Sequence, residues 1–239
     1  LSDVVGDDVH VIASGPFTQD VATFEDAWKV IERYSLQDRL PGSVRSFFEE
    51  NKERGADTQN LDHVHQLVVA GNEAALERIK DLAEQQGISV VMKSRIEGEA
   101  REVASGICSE LSDTVVKKPT LFLLGGETTV TLHESAGKGG RNQEFVASCL
   151  QALQERSFSS GSWCIASVAT DGVDFIPESA GGIIDASSLQ QVVDKQLDVG
   201  AFLSQHNSYA LLHELGAHLR VDKATGTNVA DVMMVLLTP

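Results

Sequence analysis

The chain has 239 residues, 42% of them hydrophobic and 23% charged, with a formal net charge of −16. That length holds one large domain or two small ones, and the composition suits a soluble globular protein with a sizeable core. The acidic excess repels phosphate polymers and anionic surfaces, which excludes a general affinity for nucleic acid or membrane but leaves local cations at a pocket compatible. No stretch reaches the roughly 20 apolar residues of a membrane span, and no signal peptide is visible. Cys108, Cys149 and Cys164 have no paired spacing, so they read as reduced thiols of an intracellular compartment.

In chain order, residues 9–13 read as a short strand ended by Ser14-Gly15-Pro16. Thr23 reads as the N-cap of a helix with Phe24, Ala27, Trp28, Ile31 and Tyr34 on one face. A second helix follows Pro41-Gly42-Ser43, and residues 49–62 read as a charged surface loop. Residues 65–70 form a strand, 73–86 a helix capped by Gly87, 88–92 a strand and 97–113 a helix. A domain boundary falls at Lys117-Lys118-Pro119. Beyond it come a strand at 120–124, a Gly125-Gly126 turn and a partner strand at 128–133. A helix at 141–155 and a buried strand at 163–169 follow. Residues 176–182 are a loop, helices run near 187–195, 199–205 and 207–215, and an apolar closing strand spans 229–237. Strands alternating with helices imply α/β layers with mainly parallel sheets and flanking helices, in two domains of which the first is incomplete.

The chemistry concentrates at strand ends, where α/β sheets bind ligands. One end carries Gly125, Gly126, Glu127, Thr128 and Thr129. A second carries Thr170, Asp171, Gly172 and Asp174, and the loop before the last strand holds Thr227 and Asn228. The Gly-rich loop with Lys138, Gly139, Gly140, Arg141 and Asn142 adds backbone donors, two cations and a helix start, which suit phosphate. Together these groups suit phosphoryl transfer: cations and donors neutralise phosphate oxygens while a carboxylate holds Mg²⁺ or positions a hydroxyl. Plainer readings stand beside these. Gly125-Gly126 can be a tight hairpin, Lys138 a solvated charge, Asp171-Gly172 an Asx turn, Glu127 a structural partner for Arg141, and Ser14 a turn or cap residue. The loop is neither a P-loop nor GxGxxG. On the ligand reading, the guanidinium of Arg141 faces the carboxylate of Asp171 across one anion pocket.

Six motifs in series, Leu1-Ser-Asp-Val-Val-Gly-Asp-Asp with Ile12-Ala-Ser-Gly-Pro, Gly98-Glu-Ala-Arg-Glu, Gly125-Gly-Glu-Thr-Thr-Val, Gly139-Gly-Arg-Asn-Gln-Glu, Thr170-Asp-Gly-Val-Asp and Thr225-Gly-Thr-Asn-Val, resemble the glycerate 2-kinase family, whose carboxy-terminal part is the MOFRL domain. The resemblance implies an ATP- and Mg²⁺-dependent kinase that converts D-glycerate to 2-phosphoglycerate in a cleft between two α/β domains. Residues 1–118 then correspond to the later part of the first domain and 119–239 to the second. It implies that Arg141 binds phosphate or carboxylate, that Asp171 holds Mg²⁺ or orients the 2-hydroxyl, and that Glu127 orients Arg141 or Lys138. Ser14, Gly125, Gly126, Thr128, Lys138, Gly139, Gly140, Asn142, Thr170, Gly172, Asp174 and Asn228 are the binding candidates. The implied compartment is the cytoplasm, with the mitochondrion as alternative, and a homo-oligomer is compatible with it.

Three departures qualify the resemblance. The family begins well upstream, with an important Lys in a Gly-rich segment that this sequence does not contain. Because the chain opens at Leu1 without Met, it reads as a fragment whose activity alone is open. Asp174-Phe175 stands where the family reads Asp-Gly, and Lys223-Ala224 where it often reads Gly-Pro. Two rivals remain, a hydroxypyruvate reductase and a non-catalytic ligand-binding fragment. The first lacks a GxGxxG turn with its acidic ribose partner.

Overall fold

The computed structural model describes residues 4, 6–51, 61–222 and 225–239. They fall into two compact units, residues 8–68, and residues 69–239 with the segment ending at Asp7. Lys223-Ala224 and part of the expected 49–62 loop lie outside the described residues.

In the smaller unit, α1 (Phe24–Arg33) starts at a capping box. Thr23 Oγ1 accepts from Asp26 N at 3.2 Å, and Asp26 Oδ2 accepts from Thr23 N at 3.1 Å. Phe24 and Trp28 meet Phe47 and Phe48 of α2 (Gly42–Asn51) at ring separations of 5.5–5.9 Å. The strand expected at 9–13 is instead a turn leading into a 3₁₀ helix at Ile12–Ser14. The strand expected at 65–70 is irregular. Leu67 and Val69 are exposed and no strand among the described residues pairs with the run, so its apolar pattern alone does not make a ladder.

The larger unit carries a six-stranded sheet. Its strands are β1 (Ser89–Glu99), β2 (Thr120–Thr129), β3 (Ser162–Ala169), β4 (Gly181–Asp185), β5 (His218–Leu219) and β6 (Asp231–Thr238), in the order β1-β2-β6-β3-β4-β5. Its helices are α3 (Asn72–Gln85), α4 (Ala100–Leu111), α5 (Arg141–Glu155), α6 (Ala186–Asp194), α7 (Val199–Ser204) and α8 (Ser208–Leu215). No helix among the described residues is long and apolar enough to cross a membrane.

The α/β layering matches the alternation in the sequence, but the sheet is mixed rather than mainly parallel. β1 and β2 pair in parallel, and the other four pairings are antiparallel. The reason is β6, which enters between β2 and β3 and runs against both. Its side chains alternate between two cores, as a period of two requires. Met233, Val235 and Leu237 join α4, α5, α7 and α8, whereas Val232, Met234 and Leu236 join Leu76 of α3. Burial on both faces is why this strand reads as an unbroken apolar run.

The boundary expected at 118 lies in the loop between α4 and β2. β1, before it, pairs with β2, after it, so the sheet continues across it. Gly125 and Gly126 form no hairpin turn, because β2 runs unbroken from Thr120 to Thr129. A Cβ on Gly125 would fall 2.0 Å from Asn72 Oδ1, and one on Gly126, at φ +154°, would fall 2.1 Å from the Ile96 carbonyl oxygen. These glycines are packing residues that let α3 and β1 approach β2 closely.

Candidate active site

Three strand ends meet at one edge of this sheet. β1, β2 and β3 point the same way, and Asp231, which opens β6, pairs in register with Gly126 of β2 and Ala169 of β3. A carboxylate that is 1% exposed is thereby fixed between the ends of two strands. Arg141, the first residue of α5, reaches it with Nε 2.5 Å from Oδ2 and Nη2 3.1 Å from Oδ1. Arg141 Nη1 lies 2.6 Å from Glu127 Oε1 on β2. The planar fork suits this bidentate grip on Asp231, and Glu127 fixes its remaining edge. A guanidinium has five N–H donors and three are engaged here, so donors remain for a ligand oxygen.

Burial pushes the Asp231 carboxyl up, and Arg141 pulls it back only in part, so it titrates above its ordinary value. Burial alone would lower the Arg141 guanidinium. The bond to Asp231 and the charges of Asp231, Glu127 and Asp174 more than reverse this.

The start of α5 is closed by the protein itself. Asp174 Oδ1 accepts from Asn142 N at 3.1 Å and Asn142 Nδ2 at 3.2 Å, and Oδ2 accepts from Gln143 N at 2.9 Å and Gln143 Nε2 at 3.0 Å. Ser167 Oγ donates to Asn142 Oδ1 at 2.5 Å. All four residues are buried. Asp174, with Asn142 and Gln143, thus locks the start of this helix. The carboxylate occupies the anion position that a helix N-terminus offers. A Cβ on Gly140 would fall 2.2 Å from the Asp174 carbonyl oxygen, which explains a glycine there.

Glu127, Thr128, Gly139, Gly140, Arg141 and Asp174 line one cavity of about 420 Å³, together with Val130, Leu132, Glu144, Val173, Phe175 and His206. Lys138 does not line it. That side chain is exposed, while its backbone is tied by Lys138 N donating to Asn207 Oδ1 at 3.3 Å and by its carbonyl accepting from Tyr209 N at 2.9 Å.

Asp171 is outside the lining too. Its Oδ1 accepts from Val173 N at 2.9 Å, an Asx turn. The carboxylates that Arg141 grips are Asp231 and Glu127. Thr170 Oγ1 donates to the Ala230 carbonyl at 2.7 Å and accepts from Val229 N at 2.9 Å, which pins the 228–230 loop to β3. Asn228 Oδ1 accepts from Ala230 N at 3.1 Å. Gly172, at φ +91°, carries the turn after β3. Thr170, Gly172, Gly125 and Gly126 thus shape the site and do not line it. Ser14 belongs to the smaller unit, where it is exposed at φ +63°. Among the described residues no group of three or more His, Cys, Asp or Glu is disposed to hold a metal ion.

Sequence reasoning missed Asp231 and His206. Asp231 carried one signal, a lone charge opening an apolar run directly after the Thr225–Val229 motif. His206 carried none.

Residues 120–231 match the MOFRL family, and residues 1–49 match a Domain of unknown function (DUF4147). A glycerate 2-kinase of Pyrococcus horikoshii is 34% identical over all of this chain and 55% of its own length. An Agrobacterium vitis relative with a provisional hydroxypyruvate reductase name is 36% identical over 99% of this chain and 54% of its own. The crystal structure of glycerate kinase from Thermotoga maritima superposes with a TM-score of 0.83 at 33% identity, covering 99% of this chain and 56% of that one. The chain thus spans about half the length of the relatives it matches.

Proposed function

We propose that this chain, whose residues 120–231 match the MOFRL family, serves the ATP-dependent phosphorylation of D-glycerate at its 2-hydroxyl. The observation that carries the reading is the Arg141 clamp, seated at the cavity in a chain similar from end to end to a glycerate 2-kinase. In the transfer, the bond between the γ-phosphorus and the β,γ-bridging oxygen breaks and a bond to the 2-oxygen forms. ADP leaves and the hydroxyl proton is lost. Such a reaction is promoted chiefly by positioning and by neutralising oxygen charge. Arg141, held rigid by Glu127 and Asp231, supplies its remaining N–H donors to a ligand oxygen. Asp171, on the neighbouring turn, receives the hydroxyl proton. Mg²⁺ bound to the nucleotide phosphates would neutralise their charge. The cytoplasm is the proposed compartment.

The full-length protein is expected to release ADP in the presence of D-glycerate. Arg141→Ala is expected to lower kcat/KM by about 100-fold, the scale of losing one fixed donor to a reacting oxygen, and Asp171→Ala to lower kcat. Normal turnover in both variants refutes these roles. The reductase reading, favoured by the Agrobacterium relative's name, predicts NADH oxidation with hydroxypyruvate instead.

A further inference from the structure

Arg101, Glu144 and His206 form a cluster at the cavity that the phosphoryl-transfer roles leave unused. Arg101 Nε donates to Glu144 Oε1 at 2.6 Å, and its Nη2 donates to the Leu203 carbonyl and lies 3.0 Å from His206 Nδ1. A guanidinium has donors only, so this contact makes Nδ1 an acceptor. We take the ring as the neutral tautomer that this contact favours, with its proton on Nε2. Glu144 Oε1 accepts from Arg101 and lies 3.4 Å from the same Nδ1. His206 is 7% exposed and lines the cavity, and its Nε2 is buried without a hydrogen-bond partner among the described residues. The exposed His133 ring stands 5.0 Å from it. A buried donor held in one tautomer and left unmatched is a group awaiting an acceptor.

Volume and charge narrow the class of acceptor. A space of about 420 Å³ falls in the range of cofactor-sized ligands and exceeds the needs of a three-carbon acid. Glu127, Glu144 and Asp174 line it against one cation, Arg141, so a whole polyphosphate meets net repulsion inside while an uncharged group does not. Leu132, Val173 and Phe175 give its rim three exposed apolar side chains, which suit a planar heterocycle. We infer that the cavity takes the uncharged nucleoside end of the nucleotide, with the phosphates leading outward past Arg141, and that His206 Nε2–H reads an acceptor atom of that nucleoside. This rests on the kinase reading for the presence of a nucleotide. His206 is a specificity residue here, and Arg101 positions it.

The test is ¹⁵N NMR of the full-length protein labelled at histidine, with the His206 signals assigned from the spectrum of His206→Gln. The free protein is expected to show His206 protonated at Nε2. Adenosine is expected to shift that nitrogen, D-glycerate to leave it in place, and His206→Phe to weaken adenosine binding about tenfold. Arg101→Gln is expected to let the ring populate both tautomers. Adenosine binding that leaves His206 unmoved, no adenosine binding, or movement with D-glycerate instead each overturns the inference while leaving D-glycerate-dependent ADP release intact. Loss of that release alone, with adenosine still read at His206, overturns the kinase reading and not the nucleoside site.

Discussion

Asp174→Ala is expected to destabilise the larger unit by about 3 kcal/mol. This carboxylate receives two backbone N–H groups and two side-chain amides, all from buried residues at the start of α5. Losing a helix cap alone costs roughly 1 kcal/mol. Each buried donor left without an acceptor adds about 1–3 kcal/mol before relaxation. One effect opposes the loss: Asp174 also repels the buried Asp231 carboxylate, and removing it eases that strain. Repulsion between carboxylates that each have their own donors is the smaller quantity, so the net remains strongly unfavourable. The check is the urea midpoint at constant slope. A midpoint within error of wild type contradicts the assignment of Asp174 as the lock on α5.

Arg141→Met is expected to cost about 3–5 kcal/mol at neutral pH, because it leaves Asp231 charged and buried with no cation beside it. The loss depends on pH with a definite sign. Burial already holds the Asp231 carboxyl above its usual value with Arg141 present, and removing Arg141 raises it further. A group whose folded-state pKa is raised favours folding while it is protonated, and that contribution disappears as pH climbs through the folded pKa. The penalty of Arg141→Met is therefore small in acid and grows toward neutrality. Adding Asp231→Asn, which removes the charge but keeps the shape, is expected to restore most of the stability at pH 7 and to flatten the pH dependence. Urea midpoints of both variants across roughly pH 4–8 check this. A penalty that neither varies with pH nor yields to the asparagine contradicts the picture of Asp231 as a buried charge neutralised by Arg141.

Features set by neighbouring residues were legible in the sequence. Thr23 with Asp26 announces the start of α1, and the Gly139-Gly140-Arg141 step sets the start of α5 where the pattern predicts it. Features set by distant residues were not. Gly125-Gly126 has the composition of a turn, and only Asn72 and Ile96, brought alongside by the fold, make it the thin centre of a strand. The antiparallel entry of β6 between β2 and β3 leaves no local trace, since an apolar run buried on both faces looks the same in either direction. The candidate site follows the same division. Arg141 and Glu127 stand out by their motifs. Asp231, 90 residues from Arg141, becomes visible as its partner only when the strand order is known. His206 meets Arg101, 105 residues away, only in the folded chain.

The claim on which the functional account depends is that Arg141, fixed by two carboxylates at the mouth of one cavity, is the cation that meets the ligand. A crystal structure of the full-length protein with D-glycerate and a non-hydrolysable ATP analogue tests it most directly. The account predicts a ligand oxygen within hydrogen-bond distance of Arg141 while its bonds to Asp231 and Glu127 persist. Both ligands seated away from Arg141, with its guanidinium bonded to the two carboxylates alone, would contradict it.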